Sequence, residues 1–299
     1  MTEAPRRSGQ RLMAVHAHPD DESSKGAATM AKYVAEGADV LVCTMTGGER
    51  GDILNPAMDR PGVRRELPRL RREEMDRARE ILGIRQRFLG FLDSGLFGQG
   101  TAPPEGSFAA QDPVVAARPL VHAIREFRPH VLVTYDTHGG YPHPDHVMTH
   151  RVAVEAFAAA GDASRHPGAG DPWQPSKLYY ITAFSKAYFT AIHQAMTESG
   201  LDSPAGEVLR EWDDSQATWV STTRVECADY FPIRRQAQLA HRTQVDPNGP
   251  ALACPLSLEQ LTWPTEDYHL AVSRVRTDVP EDDLFAGIAV ERADLITAR

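Results

Sequence analysis

The chain has 299 residues, of which 41% are apolar and 24% charged, and its formal net charge is −9. That length supports one large α/β domain, or a core with a smaller appendage, without disulfides or a structural metal to hold it together. The acidic balance argues against a broad nucleic-acid footprint and favours a soluble protein acting on small molecules.

Cys43, Cys227 and Cys254 lie far apart with no C-x-x-C spacing, which suits a reducing cytoplasm. The polar N-terminus lacks the apolar stretch of a secretory signal. No run approaches the roughly 18 apolar residues of a membrane span, so no membrane partner is expected.

In chain order, residues 1–10 read as a frayed tail. Leu12-Met13-Ala14-Val15 is an apolar run of strand length that ends at His16-Ala17-His18. Ala27, Ala28, Met30, Ala31 and Val34 keep helical spacing up to Gly37. Residues 39–45 form a second strand, stopped by Thr46-Gly47-Gly48-Glu49-Arg50-Gly51. Residues 53–68, with prolines at 56, 61 and 68, read as irregular. Met75, Ala78, Ile81 and Leu82 mark a helix closed by Gly83, and residues 87–91 a third strand ending at Asp93-Ser94-Gly95.

A Gly/Pro/Ala-rich loop fills residues 96–112. The apolar stripe of residues 114–127 predicts a helix packed on a sheet, and residues 130–135 a fourth strand. Proline suits a first helical turn, so a helix is expected from Pro144 to about Ala160. After a loop over 161–175, residues 178–183 give a fifth strand with a helix behind it. Beyond Leu201 the pattern loosens, with one helix expected at 233–241.

Alternating strands and helices predict an α/β, Rossmann-like fold with a mainly parallel sheet and right-handed crossovers. Residues 11–200 are expected to form the catalytic core. Residues 201–299 would be an extension packed on it and contributing to the substrate cleft. Ligands in open sheets of this kind bind beyond the carboxyl ends of the strands. His16 to Asp21, Gly47 to Gly51, Asp93 to Gly95 and Asp136 to His146 all fall at such ends, converging on one site.

Two of these segments carry metal chemistry. In His18-Pro19-Asp20-Asp21 an imidazole and a carboxylate three positions apart can meet one cation where strand turns into helix. Zinc accepts both donor types, and a catalytic site typically uses three protein ligands with one position for water. The bland alternative is that the two aspartates complement a helix N-terminus. His143-Pro144-Asp145-His146 repeats the His-Pro-Asp pattern at another strand-to-helix junction and adds two imidazoles, with Gly139, Gly140 and Tyr141 allowing close backbone approach. Coincidence is a poor explanation for two such clusters at neighbouring strand ends.

Together, Ala17-His18-Pro19-Asp20-Asp21-Glu22 and His143-Pro144-Asp145-His146 resemble the signature of the zinc-dependent PIG-L/LmbE-like N-deacetylase superfamily. Ser23-Ser24-Lys25-Gly26, residues 46–51 and 53–59, Gly139-Gly140-Tyr141-Pro142-His143, residues 223–227 and residues 284–288 resemble the branch of that superfamily acting on mycothiol S-conjugates. The resemblance implies one zinc held by His18, Asp21 and His146. Asp20 would be the general base toward the attacking water. His143 would be general acid or oxyanion donor, oriented by Asp145, and Tyr141 would steady the tetrahedral intermediate. Arg71 and Asp93 would hold the sugar–inositol half of the substrate, and Lys25 would read the cysteinyl half.

Amide hydrolysis needs a strong nucleophile, charge stabilisation on the carbonyl oxygen and a proton for the leaving amine, and this residue set supplies each. An aspartate of ordinary pKa is a weak base, which places most of the activation on the metal. Iron(II) or cobalt(II) also suits a His/His/Asp donor set.

The expected activity is cleavage of the amide between glucosaminyl-inositol and an S-substituted acetylcysteine, a detoxification reaction. Its rivals are deacetylation of N-acetylglucosaminyl-inositol, trimming of a mycothiol adduct in antibiotic biosynthesis, and a catalytically silent carbohydrate-binding domain. Arg71 competes with a reading as a solvated charge in residues 69–72. Lys25 competes with an ordinary surface lysine, and His241 reads as structural. Cys43 belongs to the core. The glycines at 47, 48 and 51 match no phosphate-binding motif.

Overall fold

The computed structural model describes residues 7–97, 100–213 and 219–289. The elements in chain order are β1 (Arg11–His16), α1 (Asp21–Ser24), α2 (Ala27–Ala35), β2 (Asp39–Thr46), α3 (Val63–Leu82) and β3 (Arg85–Phe91). Then come α4 (Pro113–Phe127), β4 (Val131–Thr134), α5 (Pro144–Ala159), β5 (Lys177–Ile181), α6 (Lys186–Glu198) and α7 (Ala205–Arg210). β6 (Thr223–Glu226), α8 (Phe231–Ala240), α9 (Leu256–Thr262) and β7 (Thr265–Ser273) complete the series.

Among the described residues, seven strands form one sheet in the order β3-β2-β1-β4-β5-β7-β6. The first five run parallel, and β7 pairs antiparallel with both β5 and β6. Successive residues of a strand face opposite sides, and both sides are covered here. Met13, Val15, Leu41 and Cys43 pack under α4 and α5, while Leu12, Ala14, Val40 and Val42 pack under α2, α3 and α8. No helix among the described residues is long and apolar enough to cross a membrane.

Strand order reverses between β1 and β4, because β1 leads outward to β2 while β4 leads outward to β5. That switch point opens a crevice beyond the strand ends. His18 follows β1 and His143 follows β4, so the two His-Pro-Asp segments face each other across it.

Three expectations need correction. Residues 53–68 are not irregular throughout, because α3 begins at Val63 and carries Pro68 inside it. The proline removes one hydrogen bond, but Leu67, Arg71, Glu74, Met75, Ala78 and Leu82 bury one continuous face, and that packing outweighs the loss. Second, the segment past residue 200 enters the sheet as β6 and β7. β7 has no apolar run to announce it, since Glu266, Asp267 and His269 interrupt the pattern. Glu266 is spent on α2, where its carboxylate accepts the Ala28 and Thr29 amides at 3.1 and 2.8 Å. Third, part of the expected tail is anchored. Residues 1–6 lie outside the described residues, whereas Arg7 pairs with Glu36 and with Asp283.

A buried ion pair ties β5 to the C-terminal segment. The Lys177 ammonium meets Glu281, whose other oxygen accepts the Tyr179 hydroxyl at 2.7 Å. Removing one partner leaves an uncompensated charge in the core. Lys177→Ala is therefore expected to cost on the order of 3 kcal/mol, read as a lower urea midpoint with unchanged slope. Lys177→Met combined with Glu281→Leu should recover most of that loss.

Candidate metal centre and active site

Asp20 is the N-cap residue of α1, yet its side chain makes no capping hydrogen bond. Its φ is 106°, a left-handed conformation that costs a non-glycine residue roughly 1–3 kcal/mol. Two side chains hold it there. Its amide donates to Glu22 Oε2 at 2.9 Å, and its carboxylate accepts from Arg71 Nη2 at 3.2 Å. Arg71 also donates to the Pro19 carbonyl and to the Gly48 carbonyl. Glu22 is pinned in turn by His241, whose Nε2 lies 2.7 Å from Glu22 Oε1 with both side chains buried. Asp20 thus sits at the helix N-terminus without capping it through its side chain, and Arg71, 3% exposed, is no solvated surface charge.

The second segment is built differently. Pro144 opens α5, and His143 is its N-cap: the Nδ1 of His143 accepts the Asp145 amide at 3.1 Å. A neutral His143 ring fixed this way carries its proton on Nε2, facing the cleft. His146, one turn into α5, stacks on Tyr135 with ring centroids 4.3 Å apart and 6° between planes. Its Nδ1 lies 2.9 Å from the Gly139 carbonyl. Gly139, at φ 77°, cannot be replaced without collision, because a Cβ there would lie 2.5 Å from the His146 Cβ.

These junctions bring His18, Asp21 and His146 together, with one donor atom of each within 4.8 Å of the others and all three residues buried. Asp21 Oδ2 lies 3.6 Å from His18 Nδ1 and 3.4 Å from His146 Nε2. His146 Nε2 is a buried atom with no hydrogen-bond partner. With Nδ1 donating to the Gly139 carbonyl, Nε2 is the ring atom left to face the Asp21 carboxylate, a position that either a ring proton or a cation can bridge. The donor set therefore fits a divalent ion. A second grouping of His18, His143 and Asp145 is equally compact. The Asp145 carboxylate, however, is already taken by the Ser94 amide at 2.9 Å, the Ser94 hydroxyl, and His18 Nε2 at 3.3 Å.

Asp145 thus meets two histidines: its backbone amide donates to His143 Nδ1, and its carboxylate contacts His18.

The charge states follow from the surroundings. Burial alone would lower the His18 pKa, but its hydrogen bonds to Asp145 and Asp21 and the nearby Asp93 raise it to about 10 in the metal-free site. Burial pushes Asp21 up, yet His146 and Lys25 prevail and hold it well below the usual carboxylate range. Burial and the neighbouring His18 and His146 lower His143 to about 4, so its ring is neutral at physiological pH. Asp20 is raised, chiefly by burial, with Arg71 opposing, which makes it a better base than a free aspartate. Burial and the charges of Asp21 and Asp20 raise the Tyr141 phenol, keeping it protonated.

His18, Asp20, Arg71, Asp93, Tyr141 and His143 line one cleft, joined by Gln244 from the C-terminal segment. Asp93 accepts the Arg50 and Gly95 amides at 3.0 and 2.8 Å. Lys25 does not line that cleft. It is buried, with Nζ on Asp21 Oδ1 at 2.7 Å and 5.9 Å from the Tyr141 ring centre. Sequence reasoning missed Glu22, Ser94 and Gln244 and left His241 as structural. Glu22 and Ser94 were visible as polar residues at the strand-end turns, but nothing in the sequence joined Glu22 to a histidine 219 positions away.

A doubly wound sheet presenting a His/Asp/His donor set beside a carboxylate and a neutral imidazole defines a metal-dependent hydrolase site. The family model PIG-L, GlcNAc-PI de-N-acetylase, matches residues 13–157. A mycothiol S-conjugate amidase of Streptomyces coelicolor is 52% identical over 93% of this chain and 97% of its own length. A 1D-myo-inositol 2-acetamido-2-deoxy-alpha-D-glucopyranoside deacetylase of Nocardiopsis dassonvillei is 40% identical over 92% of this chain and all of its own. Among solved structures, the N,N'-diacetylchitobiose deacetylase of Pyrococcus horikoshii aligns with a TM-score of 0.61 at 17% identity, covering 90% of this chain and 86% of that one. The chain belongs to the PIG-L family.

Two predictions follow from the site. Metal uptake must displace the His18 proton, so affinity should rise about tenfold per pH unit between pH 6 and 8. Calorimetry in buffers of different ionisation enthalpy should register about one proton released; a pH-independent affinity would contradict the assigned ligand. Gly48 has φ 68°, and a Cβ there would lie 2.1 Å from Arg71 Nη1, whereas Gly140 at φ 75° has open space. Gly48→Ala should therefore destabilise by about 1–3 kcal/mol in chemical denaturation, more than Gly140→Ala.

Proposed function

We propose that this chain hydrolyses the amide bond of mycothiol S-conjugates, giving a mercapturic acid and glucosaminyl-inositol. Hydrolysis rests on one observation: Asp20 and His143 line the same cleft as His18, whose ring is grouped with the buried Asp21 and His146 as a donor set. The amide substrate rests on the similarity to the Streptomyces coelicolor amidase, which exceeds that to the deacetylases.

We assign the metal as zinc, held by His18, Asp21 and His146; when bound it would lower the pKa of water to about 7 and polarise the scissile carbonyl. Asp20, its pKa raised by burial, takes a proton from the attacking water. The neutral His143 donates from Nε2 to the carbonyl oxygen as negative charge develops there. Protonating its Nδ1 would set two N–H groups against each other, since the Asp145 amide already points at that atom. This favours the oxyanion-donor role over general acid. Asp20 then returns its proton to the leaving amine as the C–N bond breaks. Tyr141, a protonated phenol at the mouth, is a second donor to the carbonyl oxygen.

Arg71 and Asp93 bind the sugar–inositol half from the polar cleft, and Arg71 also holds Asp20 in place. Lys25 spends its charge on Asp21, so we assign it to holding that ligand and supporting Tyr141 rather than to direct contact with the cysteinyl group. In this reading residues 11–200 form the catalytic core, and the C-terminal segment contributes Gln244 to the cleft. The working compartment is the cytoplasm, where three unpaired cysteines stay reduced.

Presented with a bimane conjugate of mycothiol and with N-acetylglucosaminyl-inositol, the enzyme should turn over the conjugate with the higher kcat/KM. A preference for the acetylated sugar would assign it instead to the deacetylases. Asp20→Asn should retain the metal and the left-handed turn, which asparagine tolerates, while kcat falls by roughly two to four orders of magnitude. Unchanged turnover would remove Asp20 from the mechanism. Reconstituting stripped enzyme separately with zinc, iron(II) and cobalt(II) tests the metal assignment.

A further inference from the structure

Tyr141, 49% exposed, stands between two cavities of opposite character. One is the polar cleft, rich in hydrogen-bonding groups. The other, of about 600 Å³, is reached past Gly140 and Pro142, and its wall is made by Phe184, Phe189, Trp212, Trp219 and Val208. Phe184 and Phe189 lie parallel with centroids 6.1 Å apart, and Phe189 meets Trp212 at 6.1 Å. Phe184 stays 42% exposed and takes a φ of 61°, a conformation that a bulky residue keeps only when its surroundings impose it. The next residue, Ser185, caps α6 by accepting the Tyr188 amide at 3.2 Å, which anchors the turn. Asp136 and Glu211 add acidic groups to the lining.

We infer that this second cavity receives the sulfur substituent of the conjugate, and that it selects neutral aromatic substituents over anionic ones. The inference rests on the proposed amidase activity. An amide substrate has two halves that diverge from the scissile carbonyl, and two cavities diverge from Tyr141, whose ring centre is 4.5 Å from that of His146. The polyol half matches the cleft with Arg71, Asp93 and Gln244, while a planar apolar group matches aromatic walls. The acidic lining repels a negative substituent. It also repels the product, because hydrolysis adds water across the C–N bond and turns the neutral acyl half into a carboxylate.

The test compares kcat/KM for S-bimanyl and S-methyl mycothiol in the wild type and in Phe189→Ala, Trp212→Ala and Phe184→Gly; the last keeps a residue at ease with positive φ. Each variant should lose about tenfold more on the bimanyl than on the methyl conjugate. The ratio is independent of the fraction of folded enzyme. In parallel, wild type should favour the carbamidomethyl conjugate over the isosteric carboxymethyl one, and Glu211→Gln should narrow that gap. Equal losses on both conjugates, or equal rates for the neutral and anionic pair, would overturn the pocket assignment while leaving the amidase reading standing. Absence of turnover with S-methyl and S-bimanyl mycothiol alike would remove the proposed activity, and the pocket assignment with it.

Discussion

Asp20, Asp21, Asp93 and Asp145 meet beyond the carboxyl ends of the parallel strands, and the last three are buried. Taking carboxylates out of water costs several kcal/mol each, so such a cluster persists only where every charge finds a partner. Asp21 has Lys25, Asp20 has Arg71, Asp93 accepts two backbone amides, and Asp145 takes Ser94 and His18. One pairing is left open, between His146 Nε2 and the Asp21 oxygen that also accepts the His18 amide. A divalent ion closes it, and in the metal-free site a proton on His18 partly substitutes for one.

The two His-Pro-Asp segments look alike but are used in opposite ways. In the first, the residue after proline takes a left-handed turn, freeing the Asp20 side chain from the helix and directing it toward Arg71. In the second, α5 starts at the proline, and the Asp145 amide donates to His143 Nδ1 and so fixes its tautomer. In the proposed mechanism one junction thereby supplies the base and the other a neutral hydrogen-bond donor. The pKa directions agree with this division, since Asp20 is raised and His143 lowered.

The C-terminal segment is bound into both the fold and the site. β7 extends the sheet beside β5, Glu281 neutralises Lys177, His241 holds Glu22 and so the Asp20 amide, and Gln244 reaches the cleft. Catalytic geometry at the end of β1 thus depends on residues more than 200 positions downstream.

By itself the sequence determined the parallel core and the residues able to hold a metal. Apolar runs such as Leu12-Met13-Ala14-Val15 identify buried strands, and His, Pro and Asp at a strand-to-helix junction have few other uses than a cap or a cation site. It also fell short in identifiable places. Pro68 hid the first half of α3 because a local rule cannot weigh the tertiary packing that overrides it. β7 was hidden because its polar residues serve partners on other elements. Only the tertiary structure decided that the Asp145 carboxylate meets His18, that Lys25 is turned inward to Asp21, and that His241 holds Glu22. Each is a contact between groups distant in the chain, selected by which charges must be neutralised once water has been excluded, and no local pattern of residues encodes that choice.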